Sequence, residues 1–157
     1  MRFYLSIFGL RPETLQREAD RRIDQGCGGL RPKILSFCCQ YCGYAGADLA
    51  GVSRMQYPPN ILISRVPCSG RVSPAHVLEA FKAGYDGVLI VGCHPGDCHF
   101  VSGNNLCEKR IKLFREVLEK VGFDSSRLRL EWVSASEGNR FAEIVREFTQ
   151  KLEGVKD

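Results

Sequence analysis

No stretch of this sequence approaches the ~20 consecutive apolar residues that a bilayer-spanning helix needs. The apolar start MRFYLSIFGL gives way to Arg11, Glu13, Arg17 and Glu18, and no small-residue cleavage site follows. A secretory leader is therefore not expected, and the default location is the cytoplasm. No RNP-like, KH-like or helix-turn-helix pattern is present, and the net charge is only +4. Seven basic against four acidic residues between Arg2 and Lys33 suit a solvated face or an acidic partner better than nucleic acid. GLRP and CGG lack the strand–helix setting and the Lys-Ser/Thr pair of a phosphate loop. Dinucleotide fingerprint, nucleophile–base pair, internal repeat and low-complexity segment are all missing. Asp97 and Glu137 have no evident catalytic partner.

What is there is a chain of single-domain size: 157 residues, 44% hydrophobic and 25% charged, able to bury a core. Residues 1–32 read as an N-terminal extension, with a helix from Pro12 to about Asp24 and a glycine-rich linker behind it. Residues 33–157 alternate strand and helix patterns. Strands are predicted at Ile34–Cys39, Ile61–Cys68, Gly87–Cys93 and Leu128–Ser136; GVLIVGC is apolar enough for a central parallel strand. Helices are predicted over about 46–55, 73–84, 104–121 and 137–152, with Ser73 before Pro74 and Ser136 before Glu137 as caps. The fold class is α/β: one domain, a mainly parallel sheet of about four strands flanked by helices, plus the N-terminal arm.

Eight cysteines are the anomaly. Without an export signal they point to metal or redox chemistry rather than disulfides. Cys38, Cys39 and Cys42 close the first strand, Cys68 the second, and Cys93 and Cys98 the third and its loop. Three strands thus deliver thiols at their carboxyl ends, the edge at which open parallel sheets bind ligands. An iron–sulfur cluster needs four thiolates. Five are well placed, namely Cys39, Cys42, Cys68, Cys93 and Cys98, and spacing leaves open which four ligate. Cys38 should point to the opposite face and be buried. Cys27 and Cys107 read as free thiols, and His76 as an ordinary surface residue. His94 and His99 read as solvent-facing or as hydrogen-bond partners of the cluster edge rather than Rieske-type ligands. Trp132 reads as core filler, and Arg54, Arg71 and residues 94–104 as rim contacts.

Two other chemistries compete. Cys39-x2-Cys42 is half of a structural zinc site, but a second such pair is missing. The same CQYC could serve a thiol–disulfide oxidoreductase, leaving Cys68, Cys93 and Cys98 without a role. A cluster without a substrate pocket reads as a non-catalytic electron relay.

FCCQYCGYAGADLAGVSRMQYPPN (37–60), CSGRV (68–72), VGCHPGDCHFVSGN (91–104) and EWVSASEG (131–138) together resemble the delta subunit of methyl-viologen-reducing hydrogenase, the MvhD-type iron–sulfur proteins, over about residues 33–152. The resemblance implies a [2Fe–2S] cluster on these cysteines. It also implies a role linking a hydrogenase, formate dehydrogenase or other dehydrogenase to the flavin-bearing subunit of an electron-bifurcating complex of heterodisulfide-reductase type. Residues 1–33 have no counterpart in that pattern, which suggests that the extension contacts a neighbouring subunit.

Overall fold

A computed structural model describes residues 32–154; the predicted extension and its helix lie outside the described residues. Four strands form one parallel sheet in the order β2-β1-β3-β4. They are β1 (Ile34–Cys39), β2 (Ile61–Val66), β3 (Gly87–Gly92) and β4 (Leu128–Trp132). Helices α1 (Gly43–Val52), α2 (Pro74–Lys82), α3 (Gly103–Lys120) and α4 (Gly138–Glu153) follow the strands in turn.

The period of two within each strand splits the core between two faces. Leu35, Phe37, Val88 and Ile90 pack with Val77 of α2 and Ile111 and Phe114 of α3. Ile34, Cys38, Leu89 and Val91 pack with Ala47 and Ala50 of α1 and Phe141, Val145 and Phe148 of α4. Both central strands are buried along their whole length, which is why ILSFCC and GVLIVG read as unbroken apolar runs. Each large side chain so buried contributes about 1.5–3 kcal/mol. Cys38 is completely buried, as expected. It contacts the Ser36 hydroxyl at 3.3 Å, and burial pushes its thiol up to about 12.

The register aligns the strand ends. Cys39 pairs with Val66, Cys38 with Val91, and Gly92 with Trp132. The residues that leave the sheet after these positions therefore emerge at one edge.

Several local expectations need correction. Helix α1 starts at Gly43, not near residue 46, because its first turn sits directly on β3: a Cβ on Gly43 would stand 2.6 Å from the Val91 carbonyl oxygen. His76 is no ordinary surface residue. Its Nδ1 accepts the Ser73 N–H at 3.1 Å and lies 2.7 Å from the Ser73 hydroxyl, completing a capping box on α2. Ser136 does not cap α4; Glu137 occupies that position, and the Ser136 hydroxyl bonds that of Ser134 at 3.0 Å. Trp132 is only half-buried, its ring lying over Gly92 at the end of edge strand β4. Arg54 follows the C-terminus of α1 and borders an open groove of 510 Å³ beside Met55, Gln56 and Ile61, at the opposite edge from the thiols and so not on their rim.

A five-thiol edge as candidate metal centre

The loops leaving β1, β2 and β3 bring together the five cysteines singled out above. All seven cysteines among the described residues are free thiols. Cys39 and Cys93 place their Sγ atoms 3.5 Å apart, and Cys42 interacts with Cys93 from the start of α1. Cys68 and Cys98 form a second group against Gly103: a Cβ there would lie 2.3 Å from the Cys68 Sγ and 3.3 Å from the Cys98 Sγ. The groups adjoin, since Cys39 also acts on Cys68. The thiols are thus distributed three and two.

Each group faces the N-terminus of a helix, where unpaired N–H groups favour negative charge. The Gly43 N–H, at the head of α1, donates to Cys39 Sγ at 3.2 Å. At the head of α3 burial works to raise the Cys98 thiol. The backbone N–H groups of Asn104, Phe100 and Gly103 outweigh it and hold Cys98 below its usual range. Burial pushes Cys93 up, aided by its thiol neighbours Cys42 and Cys39. Cys68 is likewise raised by burial, against the Gly70 N–H that reaches its sulfur at 3.4 Å. Cysteines ligate metals as thiolates, so a metal bound here would displace these protons.

A thiolate pair on one tetrahedral metal, with bonds of about 2.3 Å, stands about 3.8 Å apart, and the Cys39–Cys93 spacing fits that. Among the described residues, however, no group of three or more His, Cys, Asp or Glu side chains is arranged around a single ion. The donor set is all sulfur, glycines at 43, 70 and 103 keep the backbone close, and the thiols spread over two adjoining groups. Those features suit a multi-metal sulfide cluster.

Supporting side chains have no signal in the spacing of the cysteines. Buried Asn104 donates through Nδ2 to the Cys93 carbonyl at 3.1 Å and the His94 carbonyl at 2.7 Å. It therefore ties the Cys93 loop to the helix that faces Cys98. His94 Nε2 lies 2.6 Å from Glu137 Oε2, and the same carboxylate accepts the Ser134 N–H at 2.7 Å. This pair locks two loops together and takes His94 out of the thiol group. His99 stacks on Tyr41, ring centroids 3.8 Å apart. Cys107 lies within the core under the site, its thiol pushed up by burial to about 12; Cys27 is outside the described residues.

Known proteins resemble this chain over the same residues. The profile of the methyl-viologen-reducing hydrogenase delta-subunit family matches residues 34–156. The iron-sulfur subunit of the vhc F420-non-reducing hydrogenase of Methanococcus voltae is 49% identical over 124 residues, covering 79% of this chain and 86% of that protein. The iron-sulfur subunit of the F420-non-reducing hydrogenase of Archaeoglobus profundus is 48% identical over 117 residues, or 74% and 85% of the two chains. One subunit of the ferredoxin/F420H2-dependent CoB-CoM heterodisulfide reductase of Methanosarcina acetivorans is 48% identical over 124 residues, 79% of this chain but only 16% of that longer protein. Among the described residues no helix is long and apolar enough to cross a membrane. With the match spanning its whole α/β domain, the chain belongs to the methyl-viologen-reducing hydrogenase delta-subunit family.

Proposed function

We propose that this chain is an electron-transfer subunit that holds one iron–sulfur cluster, of [2Fe–2S] type, on four of Cys39, Cys42, Cys68, Cys93 and Cys98. The observation that carries the reading is the convergence of five free, unbridged thiols at one sheet edge, each group under a helix N-terminus. A cluster bound there would take up and release single electrons. The chain's own residues hold the thiols in place, supply N–H groups to sulfur, and screen the site from water through burial of Cys39, Cys68, Cys93 and Cys98.

The partners follow from the relatives. Matching iron-sulfur subunits are named as parts of hydrogenases, and in Methanosarcina acetivorans a matching segment is built into a much longer heterodisulfide reductase subunit. A segment that occurs both alone and within a larger protein commonly docks on that protein when separate. We therefore assign this chain to the junction between a hydrogenase or other dehydrogenase module and the flavin-bearing subunit of a heterodisulfide-reductase-type, electron-bifurcating complex. The competing chemistries fare worse. A zinc site wants its ligands around one ion, and a thiol–disulfide enzyme wants an accessible attacking thiol, whereas the first cysteine of the pair, Cys39, is 1% exposed and only Cys42 is partly exposed.

The test is anaerobic purification with associated subunits. About two iron and two acid-labile sulfide per chain, with a one-electron paramagnetic signal on reduction, are expected for such a cluster. Equimolar zinc without visible absorption, or a metal-free protein that reduces disulfides, overturns the reading.

A further inference from the structure

Helix α3 does more than present its N-terminus to the thiols. Gly103, Cys107 and Arg110 stand at i, i+4 and i+7 and so share one stripe, the stripe that faces the turn carrying Cys68. Arg110 Nη1 donates to the Gly70 carbonyl at 2.9 Å and the Val72 carbonyl at 2.8 Å. The Gly70 N–H in turn reaches Cys68 Sγ at 3.4 Å. The guanidinium therefore sits two contacts from a thiol of the two-cysteine group.

Its charge is not neutralised there. Both partners are carbonyls, and none of the ion pairs among the described residues involves Arg110. The side chain is half-buried, and a guanidinium does not lose its proton. Its field is felt nearby: burial first, then Arg71 and Arg110, hold the His76 imidazole below its usual range. Arg71 lies on the same turn but is exposed, where water and salt screen it.

We propose that Arg110 is a positioning and charge-setting residue, which fixes the Cys68 turn and raises the reduction potential of the centre held by the cysteines. The proposal rests on the iron–sulfur reading above. Reduction adds one electron and hence one negative charge, with no bond made or broken. A fixed cation in a medium less polarisable than water favours the more negative state.

The experiment is a potentiometric titration of the anaerobically purified complex, with dithionite as electron donor through mediator dyes. Arg110→Met, with iron and sulfide retained, should shift the oxidised/reduced equilibrium about tenfold toward the oxidised form, roughly 59 mV lower for a one-electron couple. Arg110→Lys, which keeps the charge, should stay within about threefold of the parent, as should Lys151→Met at an exposed site on α4. Should Arg110→Met lose its iron, Arg110→Gln is read against the same criterion. An unchanged midpoint in the neutral variants, or an equal shift in Arg110→Lys, overturns the assignment. A parent protein without iron and sulfide overturns the cluster reading itself, so the two failures are distinguishable.

Discussion

Cys39 and Cys93 stand at the ends of neighbouring strands, 54 positions apart in sequence, yet their sulfurs lie 3.5 Å from each other without a bond. Around them the thiols divide into a group of three (Cys39, Cys42, Cys93) and a group of two (Cys68, Cys98). A cluster of two irons needs two thiolates on each, so the pair has no spare and the trio has one. Serine at Cys68 or Cys98 should remove most of the iron and visible absorption. Of Cys39→Ser, Cys42→Ser and Cys93→Ser, one should keep most of both. Parent-level iron in Cys68→Ser or Cys98→Ser would sink this division.

Gly103 makes a second point of leverage. An alanine methyl there would run into the Cys68 and Cys98 sulfurs, and the Gly103 backbone is itself pressed against Gly70. Both sides are backbone or short side chains, so little can give. Gly103→Ala should cost about 1–3 kcal/mol by overpacking and lower iron content severalfold. Iron analysis and thermal unfolding check it; parent-level iron would mean that the loop moves aside freely.

The strands are legible in the sequence because central parallel strands leave unbroken apolar runs, and β1 matches its predicted bounds residue for residue. The thiol edge is legible because the five cysteines fall at, or a few residues beyond, the carboxyl ends of three predicted strands. What the sequence does not hold is distance. Nothing in CQYC or HPGDC says that Cys93 neighbours Cys39, or that Cys98 shares Gly103 with Cys68. The polar supports escape notice for a related reason: Asn104, Arg110 and Glu137 act on backbone carbonyls or loops 10 to 43 positions away, and such contacts have no periodicity. His76 looks ordinary because a histidine rarely fills the Glu/Gln place of a capping box.

The metal-free protein should weaken in alkali. Cys38 and Cys107 are pushed up to about 12 from an ordinary 9.0, and Cys68 and Cys93 are also raised. A thiol with a raised folded value stabilises the fold fully below pH 9. Above that the unfolded chain releases the proton and the folded one keeps it, so stability falls until the folded value is passed. Cys98 is shifted the other way; its contribution grows as pH rises toward 9 and is complete there, so it takes no part in the fall above that pH. The melting temperature should begin to drop near pH 9, and Cys38→Ala with Cys107→Ala should flatten that fall. A melting temperature constant from about pH 8 to about pH 11 would contradict it.

Asn104 is completely buried, and its amide is the donor to both the Cys93 and His94 carbonyls. Asn104→Leu keeps the bulk but strands two acceptors, a loss of about 1–3 kcal/mol that should lower the melting temperature by several degrees. Because the same residue's backbone N–H faces Cys98, the effect should not stop at stability. The Cys93 loop would be released from the head of α3, and the two thiol groups would no longer be held at one spacing. Asn104→Leu should therefore release iron to a chelator at least severalfold faster than the parent at a temperature where both are folded. Asn104→Ser, small enough to leave room for a water to bridge the carbonyls, should recover part of that rate. Equal release rates in all three proteins would reduce Asn104 to a packing residue, with the spacing of the thiols set by the sheet alone.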